Sequence, residues 1–233
     1  MTTRWDAVLF DWAGTLTPYH RIDVLSHWIA AAGVAHPEDG EAIGTSLHEA
    51  EGRVMARVRE TWQSATMADV FEEADVEVED AILHAYREEW QPHTITDTSA
   101  GQVMRRARGL GLGVAVVSNT LWERSWHDEI FRRDGILDDI DVAVYSSEVG
   151  HVKPHPLLFQ NALEGLGNPE PHRCLFVGDR LHEDIWGAAQ LGMQTAFVPH
   201  STLPGVELGP QEGEPDIVLH HLHDLVPLLR SGR

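Results

Sequence analysis

The chain has 233 residues, 42% hydrophobic and 23% charged, so it can bury a sizeable core and is too varied to be disordered. Its 37 Asp and Glu residues against 17 Lys and Arg residues give a net charge of -20, which argues against a nucleic-acid partner. No apolar run approaches the roughly 20 residues of a membrane-spanning helix. We expect a soluble, cytoplasmic protein, because the N-terminus lacks a secretion-signal pattern and Cys174 is the only cysteine.

The first predicted element is a short buried strand, because the apolar run of residues 6–10 ends in Asp11 and a Gly-Thr turn. Residues 22–96 then show no β-rich stretch, and their apolar residues recur at helical spacing. This pattern predicts helices over 24–34, 46–62, 67–74 and 78–90. The same spacing predicts buried positions within this helical segment for three tryptophans, Trp28, Trp62 and Trp90.

From residue 100 onward, nearly all-apolar strands alternate with amphipathic helices. Strands of this kind are typical of a parallel sheet that is covered on both faces. The predicted fold is therefore α/β, a doubly wound, Rossmann-like parallel sheet with an inserted small helical domain. We predict that residues 1–18 and 97–233 form the core and that residues 19–96 form the insertion.

Polar side chains follow several of the predicted strands, at the edge where open parallel sheets bind ligands. The lysine among them is the only one in the chain, although 17 residues are Lys or Arg. These strand-end residues are Asp11, Ser118, Asn119, Lys153, Asp179 and Asp184. Two acidic strand ends, a hydroxyl beside an amide and a lysine fit a site that handles a phosphoryl group beside a metal.

The charges of these residues suggest their roles. A carboxylate such as Asp11 can act as a nucleophile and form an acyl phosphate, provided that other groups neutralise the approaching phosphate. Lys153 and a bound cation can do so. We expect Mg²⁺, because it prefers oxygen ligands and the chain offers no Cys/His cluster for zinc. Hydrogen bonds to the phosphoryl oxygens would come from the Ser118 hydroxyl and from turn amides near Ala13, Gly14 and Asn119.

The motifs DWAGT, VVSNT, VGHVKPHPLLFQNAL and FVGDRLHEDIWGA, in this order, resemble those of the haloacid dehalogenase superfamily of aspartate-nucleophile hydrolases. The resemblance covers nearly the whole chain. It implies that Asp11 is the nucleophile and that Ser118 and Lys153 hold the phosphate, and it makes Thr15 a further candidate catalytic residue. It also implies that residues 19–96 are a mobile cap that closes over the substrate. The implied Mg²⁺ ligands are Asp11, the Ala13 carbonyl, Asp179 and Asp184.

One position departs from this resemblance. Phosphatases of the superfamily usually carry a second aspartate two residues after the nucleophile, as general acid and base, and this chain has Ala13 there. Such acid-base help is typically worth roughly 10²- to 10⁴-fold in rate. In the first interpretation the protein is a phosphatase in which another residue replaces the acid, or whose leaving group needs little help. His20 is the candidate replacement, because an imidazole shuttles protons near neutral pH.

Three other interpretations compete with the phosphatase. The motif DWAGT also resembles phosphonoacetaldehyde hydrolases, which cleave a carbon–phosphorus bond through a cap lysine, but residues 19–96 contain no lysine. The 2-haloacid dehalogenases also lack the second aspartate, but the carboxylates Asp179 and Asp184 would repel an anionic haloacid. A non-catalytic member would bind a ligand or partner only, yet Asp11, Lys153 and Asp179 together argue against such decay. We therefore rank the phosphatase first.

The expected substrate is a small phosphorylated molecule, because the acidic insertion would repel polyanions. The candidate substrate contacts lie in or just after the first two motifs: Trp12, Gly14, His20, Asn119 and Trp122. Of these, Trp12 and Trp122 are predicted to line the mouth of the site. The sequence carries no signal for an oligomeric state.

Overall fold

Parallel strands form a six-stranded sheet in a computed structural model of the protein, which describes residues 4–199 and 209–229. The strand order is β3-β2-β1-β4-β5-β6. The strands are β1 (Ala7–Phe10), β2 (Gly113–Ser118), β3 (Val142–Tyr145), β4 (Cys174–Gly178), β5 (Gln194–Phe197) and β6 (Ile217–Val218). This order confirms the predicted doubly wound parallel sheet.

Strand β1 lies at the centre of the sheet and is buried along its whole length. Its last residue, Phe10, pairs with Val116 of β2 and Val177 of β4, so neighbouring strands end at nearly the same level. The Asp11 N–H then donates to the Val177 carbonyl at 2.9 Å, which extends the pairing by one residue. This main-chain hydrogen bond fixes the backbone position of Asp11, the candidate nucleophile, independently of the contacts of its side chain.

Four α-helices lie within residues 19–96, where the sequence predicts the insertion. They are α1 (Val24–Ala35), α2 (Gly40–Thr61), α3 (Met67–Ala74) and α4 (Asp80–Trp90). Gly44 of α2 allows close packing on α1, because a Cβ there would lie 2.5 Å from the Ile29 Cα. None of the helices in the described ranges is long and apolar enough to cross a membrane.

The three tryptophans of this segment differ from one another in burial. Trp28 is fully buried and stacks on Tyr86 with ring centroids 3.8 Å apart, and Trp90 is half-buried. Trp62, predicted to be buried with them, is instead 40% exposed. It occupies the left-handed C-cap of α2, with φ of 57°, so it leaves the helical face that packs inward.

The remaining helices cover the two faces of the sheet, with alternate β1 residues packing on each face: Val8 and Phe10 on one, Ala7 and Leu9 on the other. These helices are α5 (Ala100–Gly109), α6 (Arg124–Arg133), α7 (Ser146–Val149), α8 (Pro156–Gly165), α9 (Gly187–Gln190) and α10 (Leu225–Leu228).

The helical segment that follows β4 has an irregular form. A π-helical turn, Leu181–Trp186, precedes the short α9. In this turn the Ile185 N–H donates to the Arg180 carbonyl at 3.2 Å, and the Arg180 N–H donates to Asp184 Oδ2 at 3.0 Å. The wide turn lets Asp184 Oδ2 accept the hydrogen bond from the Arg180 N–H while Asp184 Oδ1 faces Lys153.

Candidate active site

A lysine and three aspartates form a buried charged cluster at the carboxyl edge of the sheet. Carboxylate oxygens of Asp11, Asp179 and Asp184 lie within 4.8 Å of one another. Lys153 is 2% exposed, and its Nζ donates to Asp11 Oδ1 at 2.7 Å and to Asp184 Oδ1 at 2.6 Å. The structure therefore brings together four residues that the sequence places up to 173 positions apart, from Asp11 to Asp184.

Burial and mutual repulsion control the charges in this cluster. Burial disfavours the Lys153 ammonium, but Asp11 and Asp184 outweigh that effect and raise its pKa above the ordinary value. Burial raises the pKa of Asp184 to about 7 although Lys153 opposes the shift. Burial, with the charges of Asp11 and Asp184, also raises the pKa of Asp179 well above its usual range. One ammonium thus does not compensate three carboxylates.

The unpaired oxygens fit a divalent cation. Asp11 Oδ2 and both oxygens of Asp179 are buried and accept no hydrogen bond from the described residues. A buried carboxylate without partners is costly, and a hard cation such as Mg²⁺ would satisfy these oxygens and offset the charge. Both oxygens of Asp184 already accept hydrogen bonds, from Lys153 and from the Arg180 N–H. Asp11 and Asp179 are therefore the better candidate ligands.

Two glycines allow the acidic side chains to approach the main chain. Gly14 has φ of +95°, and a Cβ built there would lie 2.2 Å from Asp179 Oδ2. A Cβ at Gly178 would lie 2.4 Å from the Asp184 Cβ. Any side chain at Gly14 would fill the space beside Asp179 and strain the backbone as well.

The other residues of the first motif form a tight turn after Asp11. The N–H of Gly14 donates to the Thr17 carbonyl at 2.7 Å, and the N–H of Thr15 donates to the Trp12 carbonyl at 3.2 Å. Thr15 is fully buried within this turn. Ala13 pairs with Thr17 in an isolated parallel bridge. Because this residue is an alanine, the position two residues after Asp11 presents only a methyl group.

The second motif joins β2 to the lysine. The Ser118 hydroxyl is buried at the end of β2. Asn119 accepts the Lys153 N–H at 2.7 Å through Oδ1 and donates to the Lys153 carbonyl at 3.2 Å through Nδ2. The amide of Asn119 therefore fixes the main chain of Lys153.

Trp12 and Trp122, predicted to line the mouth of the site, are only 5% and 8% exposed. Their ring centroids lie 5.6 Å apart, and both rings contact His127. They form a packed aromatic cluster beneath the first two motifs. The sequence analysis did not single out His127, because a lone histidine in an amphipathic helix has no distinctive spacing.

His20 lies on the first of the two chain segments that connect the inserted helices to the core, and it contacts the second. Its Nε2 is 3.0 Å from His93 Nδ1, so the two imidazoles share a hydrogen bond. Both rings line a cavity of about 310 Å³ with Thr17, Pro18, Pro92 and residues 95–98. This bond engages His20 Nε2, so that only Nδ1 can exchange a proton with a leaving group while the bond persists.

Arg180 is a second cation at the cluster that the sequence analysis missed. Its Nε lies 3.6 Å from Asp179 Oδ2, and its guanidinium lies over the Tyr19 ring at 5.8 Å. Its position directly after Asp179 is the only sequence signal that could have indicated it.

Comparisons with known proteins agree with this arrangement. The family model of haloacid dehalogenase-like hydrolases matches residues 5–192. Pyrophosphatase PpaX of Bacillus cereus (strain G9842) is 28% identical over 235 aligned positions, which cover 98% of each chain. Glyceraldehyde 3-phosphate phosphatase of Methanopyrus kandleri is 30% identical over 128 positions, 55% of this chain and 54% of that one.

Solved structures show the same fold. A HAD phosphatase from Thermococcus onnurineus aligns with a TM-score of 0.66 and 23% identity over 98% of this chain and 99% of its own. The L-2-haloacid dehalogenase of Xanthobacter autotrophicus aligns with a TM-score of 0.64 and 21% identity over 98% and 100%. The family model spans most of the chain, and the four motifs converge on one buried cluster. The chain therefore belongs to the haloacid dehalogenase-like hydrolases.

Proposed function

We propose that this hydrolase is a Mg²⁺-dependent phosphatase that acts on a small phosphorylated molecule through an aspartyl phosphate on Asp11. The observation that carries the proposal is the unequal bonding of the Asp11 carboxylate. Lys153 holds Oδ1 at 2.7 Å, whereas Oδ2 is buried and accepts no hydrogen bond from the described residues. Lys153 thus fixes the orientation of the carboxylate, so that one of its oxygens can attack phosphorus while the other faces Mg²⁺.

The surrounding groups would neutralise and orient the phosphoryl group. Lys153 is positioned to offset the charge of the phosphate as it approaches Asp11. The Ser118 hydroxyl, at the end of the strand beside β1, and turn amides of the first motif would donate hydrogen bonds to the phosphoryl oxygens. Asp11 and Asp179, with the Ala13 carbonyl and Asp184, would hold Mg²⁺, which supplies charge neutralisation for the transferred phosphoryl group.

The residues that determine the leaving group belong to the proposed cap, residues 19–96. The proposal includes a leaving group that needs little protonation, because Ala13 offers only a methyl group and His20 is bonded to His93. PpaX is named a pyrophosphatase, and a phosphate leaving group is a much weaker base than an alkoxide. A phosphoric anhydride or a similarly activated small phosphate is consistent with this site.

Steady-state phosphate release tests the proposal directly. The substrates are p-nitrophenyl phosphate, pyrophosphate and a panel of metabolite monophosphates, each assayed with Mg²⁺ or with EDTA. The variants are Asp11→Asn, which removes the nucleophile, and Ala13→Asp, which adds a carboxyl group for the leaving group. We expect Mg²⁺-dependent turnover that Asp11→Asn abolishes and that Ala13→Asp increases on alkyl phosphates.

Two results would count against the proposal. Turnover that persists in Asp11→Asn would exclude the aspartyl phosphate. Absence of turnover on every phosphate, with chloride release from 2-haloacids measured in parallel, would return the choice to a dehalogenase or a non-catalytic protein.

A further inference from the structure

A buried histidine outside the charged cluster contacts three of the loops that form the site. His127 lies on α6 and is fully buried. Burial, with the nearby Arg124 guanidinium, lowers the pKa of His127 to about 3, so its ring is neutral near pH 7. A neutral buried imidazole can make a hydrogen bond and also stack as an aromatic ring.

Three contacts of His127 reach segments at the ends of three different strands. The edge of its ring meets the Trp12 ring, with centroids 4.5 Å apart and planes at 88°, just after β1. Its Nε2 lies 3.2 Å from Thr120 Oγ1, just after β2. Its face stacks on Tyr145, the last residue of β3, with centroids 4.3 Å apart and planes at 12°. His127 thus connects the first motif, the second motif and the end of β3.

The bond to Thr120 matters because Thr120 fixes the second motif. Its hydroxyl accepts the Trp122 N–H at 3.0 Å. Its main chain is bonded twice to Ser146, through the N–H at 2.8 Å and the carbonyl at 3.0 Å. The preceding residue, Asn119, holds the main chain of Lys153. A displacement of Thr120 would therefore move both the hydroxyl of Ser118 and the lysine at the nucleophile.

We propose that His127 is a positioning residue, which holds the Ser118–Thr120 turn against the Trp12 loop so that the site is preformed for the phosphoryl group. This inference rests on the proposed phosphatase function, since it assigns the turn to phosphate binding. His127 touches no reacting atom. Its effect would pass through the Thr120 hydroxyl, and even small misplacements of catalytic groups reduce rates substantially.

The test uses conservative changes at both ends of the His127–Thr120 bond. His127→Phe keeps a ring for stacking but removes the hydrogen bond, and His127→Gln restores a polar group at the same distance from the backbone. Thr120→Val removes the hydroxyl and keeps the volume, and Thr120→Ser restores the hydroxyl. Thr45→Val is the matched control, because the Thr45 hydroxyl bonds the Glu41 carbonyl at 2.7 Å on the exposed side of α2.

The measurements are kcat and KM for p-nitrophenyl phosphate, the inhibition constant of inorganic phosphate, and Tm. We expect His127→Phe and Thr120→Val each to weaken phosphate inhibition and lower kcat by about tenfold, as for one lost hydrogen bond. The double variant should be no worse than Thr120→Val alone, because the His127–Thr120 bond is already lost in that variant. His127→Gln, Thr120→Ser and Thr45→Val should stay within about threefold of the wild type.

The competing explanation is that His127 only packs. In that case His127→Phe would change Tm and leave kcat and the phosphate inhibition constant unchanged, which would overturn the inference while the phosphatase function stands. If His127→Phe fails to fold, Thr120→Val gives the same reading. A wild type that neither releases nor binds phosphate would instead overturn the proposed function, and this inference with it.

Discussion

At the scale of single residues, the site depends on side chains that their neighbours hold in one position. Lys153 donates to two carboxylates and Asn119 fixes the main chain of that lysine. Gly14 gives Asp179 the room that any other residue would take. Asp179 itself keeps two buried oxygens with no hydrogen bond from the described part of the chain. The consequence is a buried acidic cluster whose charge a bound cation would offset.

The first prediction concerns Gly14→Ala. A Cβ at this position would overlap Asp179 Oδ2 at 2.2 Å, so we expect kcat to fall by at least about 100-fold, as for a displaced catalytic group. The backbone strain of φ near +95° adds a stability loss of about 1 kcal/mol. Steady-state kinetics and urea unfolding measure the two effects.

Gly111→Ala is the matched control for that change. Gly111 also has a positive φ, of +81°, but a Cβ there would meet nothing within 4 Å. It should show the same stability loss with wild-type kcat. Equal activity losses in both variants would show that strain alone, and not the space beside Asp179, is responsible.

A second prediction follows from the low pKa of His127. The pKa is about 3 in the folded chain and about 6.5 when unfolded, so the unfolded chain binds the extra proton as pH falls. The stability that the neutral ring contributes is present above about pH 6.5 and declines below it, by up to about 1.4 kcal/mol per pH unit. His127→Phe should lose this slope.

Urea unfolding between about pH 7 and pH 5 measures the effect as the difference between wild type and variant. His84→Phe, on the exposed side of α4, is the control and should keep the wild-type slope. A constant difference between wild type and His127→Phe across this range would mean that His127 has the same pKa in the folded and the unfolded chain, which would contradict the prediction.

At the scale of elements, a segment of the inserted helices reaches the loops beside the charged cluster. The Ser64 N–H donates to the Gly150 carbonyl at 3.2 Å, and the Val152 N–H donates to the Trp62 carbonyl at 3.1 Å. The Met67 N–H, at the start of α3, donates to the Leu121 carbonyl at 3.0 Å. Residues 62–67 are thus bonded to the chain just before the lysine and just after the second motif.

The third prediction tests Thr66, the N-cap residue of α3, which lies at the end of this segment. Thr66 and Asp69 form a reciprocal capping box, in which the Thr66 N–H donates to Asp69 Oδ2 at 2.6 Å. Thr66→Ala should cost about 1 kcal/mol of unfolding free energy, the usual value of an N-cap. It should also raise KM, because the segment beside the lysine becomes less fixed.

Thr45→Ala, in the middle of α2, is the comparison for this change. Alanine favours a helix interior, so Thr45→Ala should be neutral or slightly stabilising. If Thr66→Ala destabilises the protein and leaves KM unchanged, residues 62–67 do not influence substrate binding.

The strands and the charged cluster could be predicted from the sequence because both depend on local patterns. Apolar runs ending in Asp11, Ser118 and Asp179 place those residues at one edge once the strands are parallel. The structural environments of His20, Trp62 and His127 could not be predicted from the sequence. Each depends on a contact with a residue far away along the chain, or on a left-handed helix end, and hydrophobic periodicity carries neither.

At the scale of the whole molecule, negative charge dominates. The net charge of -20 is spread over a chain that buries three carboxylates at one point. Repulsion of this kind destabilises the compact state. A divalent cation at the cluster should therefore stabilise the whole protein and not only its active site.

The fourth prediction is that Mg²⁺ raises the Tm of the wild type and that Asp179→Asn removes this rise. Binding to the folded state alone contributes about 2.7 kcal/mol when the cation is present at 100 times its Kd. In EDTA, Asp179→Asn should be at least as stable as the wild type, because it relieves repulsion among the buried carboxylates. Thermal unfolding with Mg²⁺ or EDTA provides the measurement.

Asp138→Asn controls for the change in net charge, since Asp138 is exposed and lies away from the cluster. It should keep the Mg²⁺-dependent rise in Tm. An equal rise in Asp179→Asn would place the stabilising cation elsewhere.

The most direct test of the central claim is to trap the covalent intermediate on Asp11. Wild-type protein is mixed with p-nitrophenyl phosphate and Mg²⁺, quenched in acid, and analysed by intact and peptide mass spectrometry. The account predicts one added phosphoryl group, located on the peptide that contains Asp11, absent in EDTA and absent in Asp11→Asn. Substrate turnover with the phosphoryl group on another residue, or with equal labelling of Asp11→Asn, would contradict it.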